Sequence, residues 1–385
     1  MNSPVSRRRF LAGLAAALGG AGTRPALELS AAPQRADTER PVNTYDTLAK
    51  LASNENPHGP SEAVKKAMSE AAKYANRYMY PDGGIVEAIA EYHGVGSENV
   101  ILGAGSGEIL KVADDTFLPE RRKIVGPSPT YESVYLYATN SNAEAFEVPL
   151  VQARGYAVDI RKMITVTLQN YRDVGLVYIC NPNNPTGKII PRNDVRLLVD
   201  SIPDEIPIVI DEAYHHYVDN PQYEESIRYV KEGRNVIVTR TFSKMAALAG
   251  MRLGYGIAPK ELIDRMIPFA LYSINAPVKY GGVAALKDKA FENRVRELNK
   301  RIRDKVTKEL VELGWEVLPS DASFFMVNVR RDVDSLVEDF HQKGILVGRK
   351  FPPMNEWLRV SVGTEVEMSR FMRVFKELLG TGKKI

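Results

Sequence analysis

The chain has 385 residues, 44% hydrophobic and 26% charged, with a formal net charge of +3. These values suit a soluble globular chain with room for two domains, and they exclude disordered, fibrous and membrane classes. A weakly basic balance with no long Lys/Arg block in the body offers nucleic acid no footprint, and the lone Cys180 rules out an intrachain disulfide.

The N-terminus is a different object from the body. Ser6-Arg7-Arg8-Arg9-Phe10-Leu11 precedes an Ala/Gly/Leu run ending near Ala21, the charged and apolar regions of an export signal. The run is too short for a bilayer, which takes about 20 residues. Twin arginines followed by Phe-Leu resemble the signal of the twin-arginine pathway, which exports folded proteins. Residues 1–32 are therefore expected to be a leader and the mature chain periplasmic, with a cytoplasmic chain carrying a basic leader as the alternative. Residues 33–60 read as an N-terminal arm. It is expected to join the smaller domain, because Leu51-Ala52-Ser53-Asn54-Glu55-Asn56-Pro57 precedes the first helix of the large domain and has no strand nearby to pair with.

From residue 61 to 275 short β-rich runs end in loop chemistry and lead into helical patterns. Val100-Ile101-Leu102 leads to Gly103-Ala104-Gly105-Ser106-Gly107-Glu108, and Lys123-Ile124-Val125 to Gly126-Pro127-Ser128-Pro129-Thr130-Tyr131. Residues 175–179 lead to Asn181-Pro182-Asn183-Asn184-Pro185-Thr186-Gly187, residues 206–210 to Asp211, and residues 235–238 to Thr239 and on to Lys244. Apolar runs this short, without alternation, predict strands buried on both faces. The pattern predicts an α/β domain with a mostly parallel sheet, whose ligands sit at the carboxyl ends of the strands. Residues 276–385 change texture, with a charged helix over 291–313 and strands over 323–329 and 358–362, and predict a smaller α+β domain.

Several of these loop residues carry chemistry. Lys244 lies just after a buried strand in Thr241-Phe242-Ser243-Lys244, and Arg252 follows it eight positions on. An amine that bonds a carbonyl needs such a place, and a nearby phosphate needs the hydroxyls and the guanidinium. A surface lysine is the competing reading. Asp211 closes an apolar run, so its carboxylate needs a cationic partner, and a protonated ring nitrogen is one; a plain helix cap competes. Tyr214 follows within reach of the same ring. Asn184 stands in a loop stiffened by two prolines, where its amide can bond a ring oxygen. Ser106 and Gly107 open a helix whose bare N–H groups suit an anion. The same stretch fails as a dinucleotide fingerprint, because Glu108 occupies the place of the third glycine. Tyr131 can stack on a ring face or simply pack in the core.

Together the Asn-Pro-Thr-Gly loop, Asp211-Glu212-Ala213-Tyr214 and the run from Ser243-Lys244 through Ala247-Leu248-Ala249-Gly250 to Arg252 resemble the fold-type I pyridoxal-phosphate aminotransferases. Within them the resemblance is to the histidinol-phosphate branch, and it extends from about Leu51 to the C-terminus. It implies a large domain on a seven-stranded, mostly parallel sheet and pyridoxal 5′-phosphate as cofactor, with no metal. Lys244 would carry the cofactor, Asp211 pair with its ring nitrogen, Asn184 and Tyr214 hold its phenolic oxygen and Tyr131 stack. Ser106, Gly107, Thr241, Ser243 and Arg252 would hold its phosphate. Tyr80 would reach the phosphate of a neighbouring subunit, implying a homodimer with shared sites. Arg359 would fork the substrate carboxylate, with Asn54 and Arg349 also at the substrate.

Two departures stand out. Met245 follows the lysine where a small residue is usual, and Gly348 falls where the branch carries an arginine for the substrate phosphate, so Arg349 takes that role in a slipped register or the substrate lacks a phosphate. The implied reaction is ping-pong transfer from an amino acid, or an amine like histidinol phosphate, to a 2-oxo acid. A decarboxylase, carbon–sulfur lyase or oxidase on the same cofactor, and a non-catalytic binding module, are the alternatives.

Overall fold

The computed structural model describes residues 44–118, 123–141 and 143–382. The leader expected over residues 1–32 and the expected arm as far as residue 43 lie outside them. Strand β1 (Ala49–Leu51) precedes a central sheet made of β2 (Val100–Gly103), β3 (Lys123–Ser128), β4 (Glu144–Pro149), β5 (Val174–Cys180), β6 (Ile208–Asp211), β7 (Val236–Thr241) and β8 (Gly254–Ile257). Strands β9 (Glu316–Leu318), β10 (Phe324–Asn328), β11 (Ile345–Val347) and β12 (Trp357–Ser361) follow.

The central sheet runs β2-β8-β7-β6-β5-β3-β4. Every neighbouring pair is parallel except those of β8, which opposes both β2 and β7. Period-two alternation sends Val177 and Ile179 of β5 into one core and Leu176, Tyr178 and Cys180 into the other. Each of these side chains is essentially inaccessible, and a buried Val, Leu or Ile contributes about 1.5–3 kcal/mol of apolar transfer free energy. The predicted parallel, doubly buried sheet is therefore present, with one strand reversed.

That reversed strand is absent from the sequence reading because Gly254-Tyr255-Gly256 looks like a loop. Its glycines answer to close packing. A Cβ on Gly254 would stand 2.2 Å from the Ser106 amide nitrogen, and one on Gly256 2.9 Å from Ile109 Cγ2, so the helix Ser106–Phe117 rests directly on β8. Pairing with β8 also carries β7 beyond its expected end at residue 238, through Arg240↔Tyr255 and Thr241↔Gly254. Strand β6 begins at Ile208 instead of Ile206 and takes Asp211 into its own ladder.

In the C-terminal part β9, β10 and β12 form an antiparallel sheet in the order β12-β10-β9. The 24-residue helix Lys289–Glu312 covers it, adding Ile302, Val306 and Leu310 to a core with Phe340, Phe371 and Phe375. Strand β1 pairs in parallel with β11, Leu51 opposite Val347, and Ala49 and Leu51 enter the same core. The helix Ala276–Lys287, expected to open the second domain, packs instead on Glu62–Ala71. There Gly281 allows an approach in which a Cβ would lie 2.7 Å from Met68 Cγ.

Candidate active site

Strands β5 and β6 end in step, with Cys180 opposite Asp211, while β7 runs two residues past Thr239, the partner of Asp211, to Thr241. At these ends lies a cavity of about 240 Å³ whose lining includes Asp211, Tyr214, Asn184 and Lys244 on one side and Ser106, Gly107, Tyr131, Thr241, Ser243 and Arg252 around the rest. A second cavity of about 270 Å³ shares Tyr131, Asn184, Tyr214 and Lys244 with it and adds Asn54, Arg349 and Arg359. All the residues singled out from the sequence thus converge except Tyr80. Its hydroxyl donates to the Ile274 carbonyl at 2.5 Å and its ring stacks on Tyr74.

The anion end is built from close backbone approach. Gly105 has φ 90° and starts the helix Ser106–Phe117 with no side-chain cap, which leaves the first N–H groups to a ligand. Arg252, itself at φ 60°, donates through Nη2 to the Ala104 carbonyl at 3.1 Å and through Nη1 to Ala249 at 3.0 Å. A Cβ on Gly105 would lie 2.2 Å from Arg252 Nη2. Only glycine admits both the backbone conformation and the arginine there. Thr241 Oγ1 donates to Ser243 Oγ at 2.9 Å, completing a rim of hydroxyls. Glu108 accepts from the Ala104 amide at 2.6 Å and the Leu271 amide at 3.0 Å, so it braces the glycine turn.

The opposite wall is a set of charges held apart. Asp211 is buried and accepts from the Ala213 amide at 3.1 Å. Burial lifts its pKa to about 6, against the pull of bonds from the Ala213 amide and the Tyr178 hydroxyl, and among the described residues it forms no salt bridge. Lys244 Nζ donates to the Ser53 carbonyl at 2.9 Å. Burial, with the Arg359 charge beside it, depresses its pKa to about 8. Asn54 donates through Nδ2 to Tyr214 Oη at 3.0 Å, while its amide and Oδ1 are both bonded to Ser361 Oγ at 2.8 Å. Its polar groups are thus spent on holding the tyrosine.

The three asparagines of the 181–187 loop divide the work. Asn181 clamps Ile190 and Asn183 clamps Thr130, while Asn184 faces the cavity and accepts from Arg359 Nη1 at 2.6 Å. Arg359 is buried, with its pKa lowered to about 10 chiefly by burial. Its Nη2 donates to the Ala52 carbonyl at 2.5 Å, its Nε is without a partner, and no described carboxylate pairs with it. Met245 packs with Ala213, Tyr217 and Phe324. At Gly348 no side chain fits: a Cβ would stand 2.7 Å from the Arg359 carbonyl oxygen. Arg349 lines the substrate-side cavity instead, its guanidinium 4.3 Å from the Phe351 ring centre and ion-paired to Glu132. Ser53, Glu55, Cys180, Glu132 and Phe351 escaped the sequence reading. Of these, Cys180 alone carried a local signal, as the last residue of the strand beside Asp211.

A family model described as aminotransferase class I and II matches residues 46–375. A histidinol-phosphate aminotransferase of Moorella thermoacetica is 36% identical over 350 residues, covering 89% of this chain and 88% of the relative. One from Caldicellulosiruptor saccharolyticus is 33% identical over 343 residues, covering 87% and 92%. The solved structure of the Sinorhizobium meliloti histidinol-phosphate aminotransferase in complex with pyridoxal-5′-phosphate superposes with a TM-score of 0.79 at 23% identity, covering 86% of this chain and 91% of that one.

The depressed pKa of Lys244 has a stability consequence of definite sign. Between about 8 and the ordinary 10.5 the unfolded chain binds a proton that the folded chain does not, so stability rises with pH across that window and the buried ammonium costs stability below it. In cofactor-free protein Lys244→Met should raise the urea midpoint at pH 7, with the gain shrinking toward pH 10.5. An advantage independent of pH would show that the amine is not held in this state.

Proposed function

The chain belongs to the class I and II aminotransferases and performs pyridoxal-phosphate-dependent amino transfer, and we propose the following roles for its residues. When bound, the cofactor supplies an electron sink that makes the Cα–H bond of an amino acid acidic. The residues present fit it. A buried Asp211 carboxylate with no cation of its own suits a protonated ring nitrogen, and the Gly105–Arg252 cradle at a helix N-terminus suits a phosphate.

The single observation that carries the reading is the pair of uncompensated charges on either side of Lys244, the Asp211 carboxylate and the Arg359 guanidinium. Lys244 would hold the cofactor through its aldehyde group. Its amine, when free, would take the proton from the substrate Cα, and a pKa near 8 would leave enough free base to do so near neutral pH. Arg359 forks the substrate carboxylate and so leaves the Cα–H bond as the one presented to Lys244. Tyr214, positioned by Asn54, and Asn184 would hold the phenolic oxygen, and Tyr131 would stack on the ring. After the first substrate has left as its own 2-oxo acid, a second 2-oxo acid would place its carboxylate on the same Arg359 fork to receive the amino group. Arg349 is placed for an anionic group at the far end of the substrate, which is the reading that the relatives' name supports.

Holoenzyme should be yellow, lose its visible band on addition of an amino acid and recover it with a 2-oxo acid, while Lys244→Ala should lack the band. Arg359→Ala should lower kcat/KM by about 30- to 1000-fold, the cost of stranding one partner of a buried charge pair. Stoichiometric carbon dioxide or sulfide in place of a 2-oxo acid would overturn amino transfer.

A homodimer is part of the same proposal. Tyr78 and Met79 are fully exposed beside Tyr80, and Leu271 and Phe269 are exposed as well, an apolar surface suited to a second copy. With Tyr80 completing the partner's phosphate site, Lys244→Ala and Tyr80→Phe subunits, each impaired alone, should recover activity when mixed, and a fully active monomer at low concentration would refute this.

For residues 1–32 we propose twin-arginine export. Arg7→Lys/Arg8→Lys protein should stay in the cytoplasmic fraction with its cofactor content intact, and unchanged periplasmic recovery would dismiss the signal.

A further inference from the structure

Arg349 is not free to meet a substrate. Its Nη2 is held by Glu132, a residue 217 positions away that lines the same cavity. Glu132 immediately precedes the helix Ser133–Asn140, where an acidic side chain ordinarily turns to the exposed backbone N–H groups, yet it makes no capping bond. Its carboxylate reaches across to Arg349 instead. Both side chains are about half exposed, 51% for Arg349 and 53% for Glu132, so the pair is weak and can be exchanged. The Phe351 ring carries both guanidiniums, Arg349 at 4.3 Å and Arg359 at 4.7 Å from its centre. One ring thus sets the cation for the α-carboxylate beside the cation for whatever lies at the substrate's far end.

We propose that Glu132 is a specificity-determining residue that occupies Arg349 as an internal competitor, so that a substrate with an anionic far end must displace it and a neutral one need not. This rests on the proposed placing of the substrate carboxylate at Arg359. The consequence is a handicap on dianionic ligands. The far-end anion gains Arg349 only by breaking the existing pair, and it then lies close to the released Glu132 carboxylate. A neutral far end leaves the pair closed and meets its outer surface.

The test uses holoenzyme and two non-reacting probes of equal length, glutarate and its monoamide glutaramate, with affinities measured by calorimetric titration. Glu132→Gln should tighten glutarate about two- to fivefold, the range set by an exposed ion pair, and leave glutaramate unchanged, which also reports an intact site. In an Arg349→Gln background the same substitution should favour glutarate measurably less, closing a double-mutant cycle. A shift equal for both probes, no shift for glutarate, or a selective gain undiminished without Arg349 overturns the assignment of Glu132 alone. Wild-type holoenzyme that binds neither probe overturns the carboxylate site at Arg359 and this assignment with it.

Discussion

The site depends on keeping buried charges of opposite sign from neutralising one another. Asp211 and Glu212 are neighbours in β6 and the residue after it, and both are buried, yet their fates differ. Glu212 turns to the far side and accepts from Arg240 Nε at 3.1 Å and Nη2 at 2.7 Å. Arg240 also pairs with Glu225. Strand alternation does the sorting: Thr241 lines the cofactor cavity, and its neighbour Arg240 points behind the sheet. Behind the sheet the charges are satisfied, and removing one partner from such a pair costs about 3–5 kcal/mol. In front, Asp211, Lys244 and Arg359 form no salt bridge among the described residues, and burial shifts the pKa of each toward its neutral form. Substrate and cofactor bring the missing charges.

Holding such groups apart requires a stiff frame, and close backbone approach supplies it. Gly254 lets β8 lie against the start of the helix Ser106–Phe117, Gly105 lets Arg252 cross that turn, and Gly348 lets β11's continuation touch Arg359. In each case a Cβ would collide with backbone or with a functional arginine. The glycine at 348 therefore settles where the far-end cation can stand. The position against β12 admits no side chain, so the guanidinium comes from Arg349, which approaches over the Phe351 ring.

Residues that look alike in the sequence do different work in the site. Of the three asparagines after β5, Asn181 is tied to Ile190, Asn183 to Thr130 in the loop after β3, and one faces Arg359. Asn54 lines the substrate cavity, yet its bonds go to Tyr214 and Ser361, which places it behind the tyrosine as a support. The hydroxyls at 241 and 243 bond each other before any ligand does.

Taken by itself, the sequence determined what is local. Short apolar runs ending in Asp211, in the 181–187 loop and in Lys244 revealed the buried parallel strands and their polar ends, because burial on both faces forces apolar composition over the whole run and a sheet of that kind gathers its ligands at one edge. The order and spacing of those residues carried the family and the cofactor. What the tertiary structure alone decided is everything that rests on pairing across long separations. Strand β1 meets β11 nearly 300 residues on, Asn54 reaches Ser361, and Glu132 claims Arg349. The reversal of β8 was hidden because its glycines record contact with a helix that the strand's own sequence does not mention. A residue's composition reports whether it is buried. Which partner it is buried against depends on the path of the whole chain.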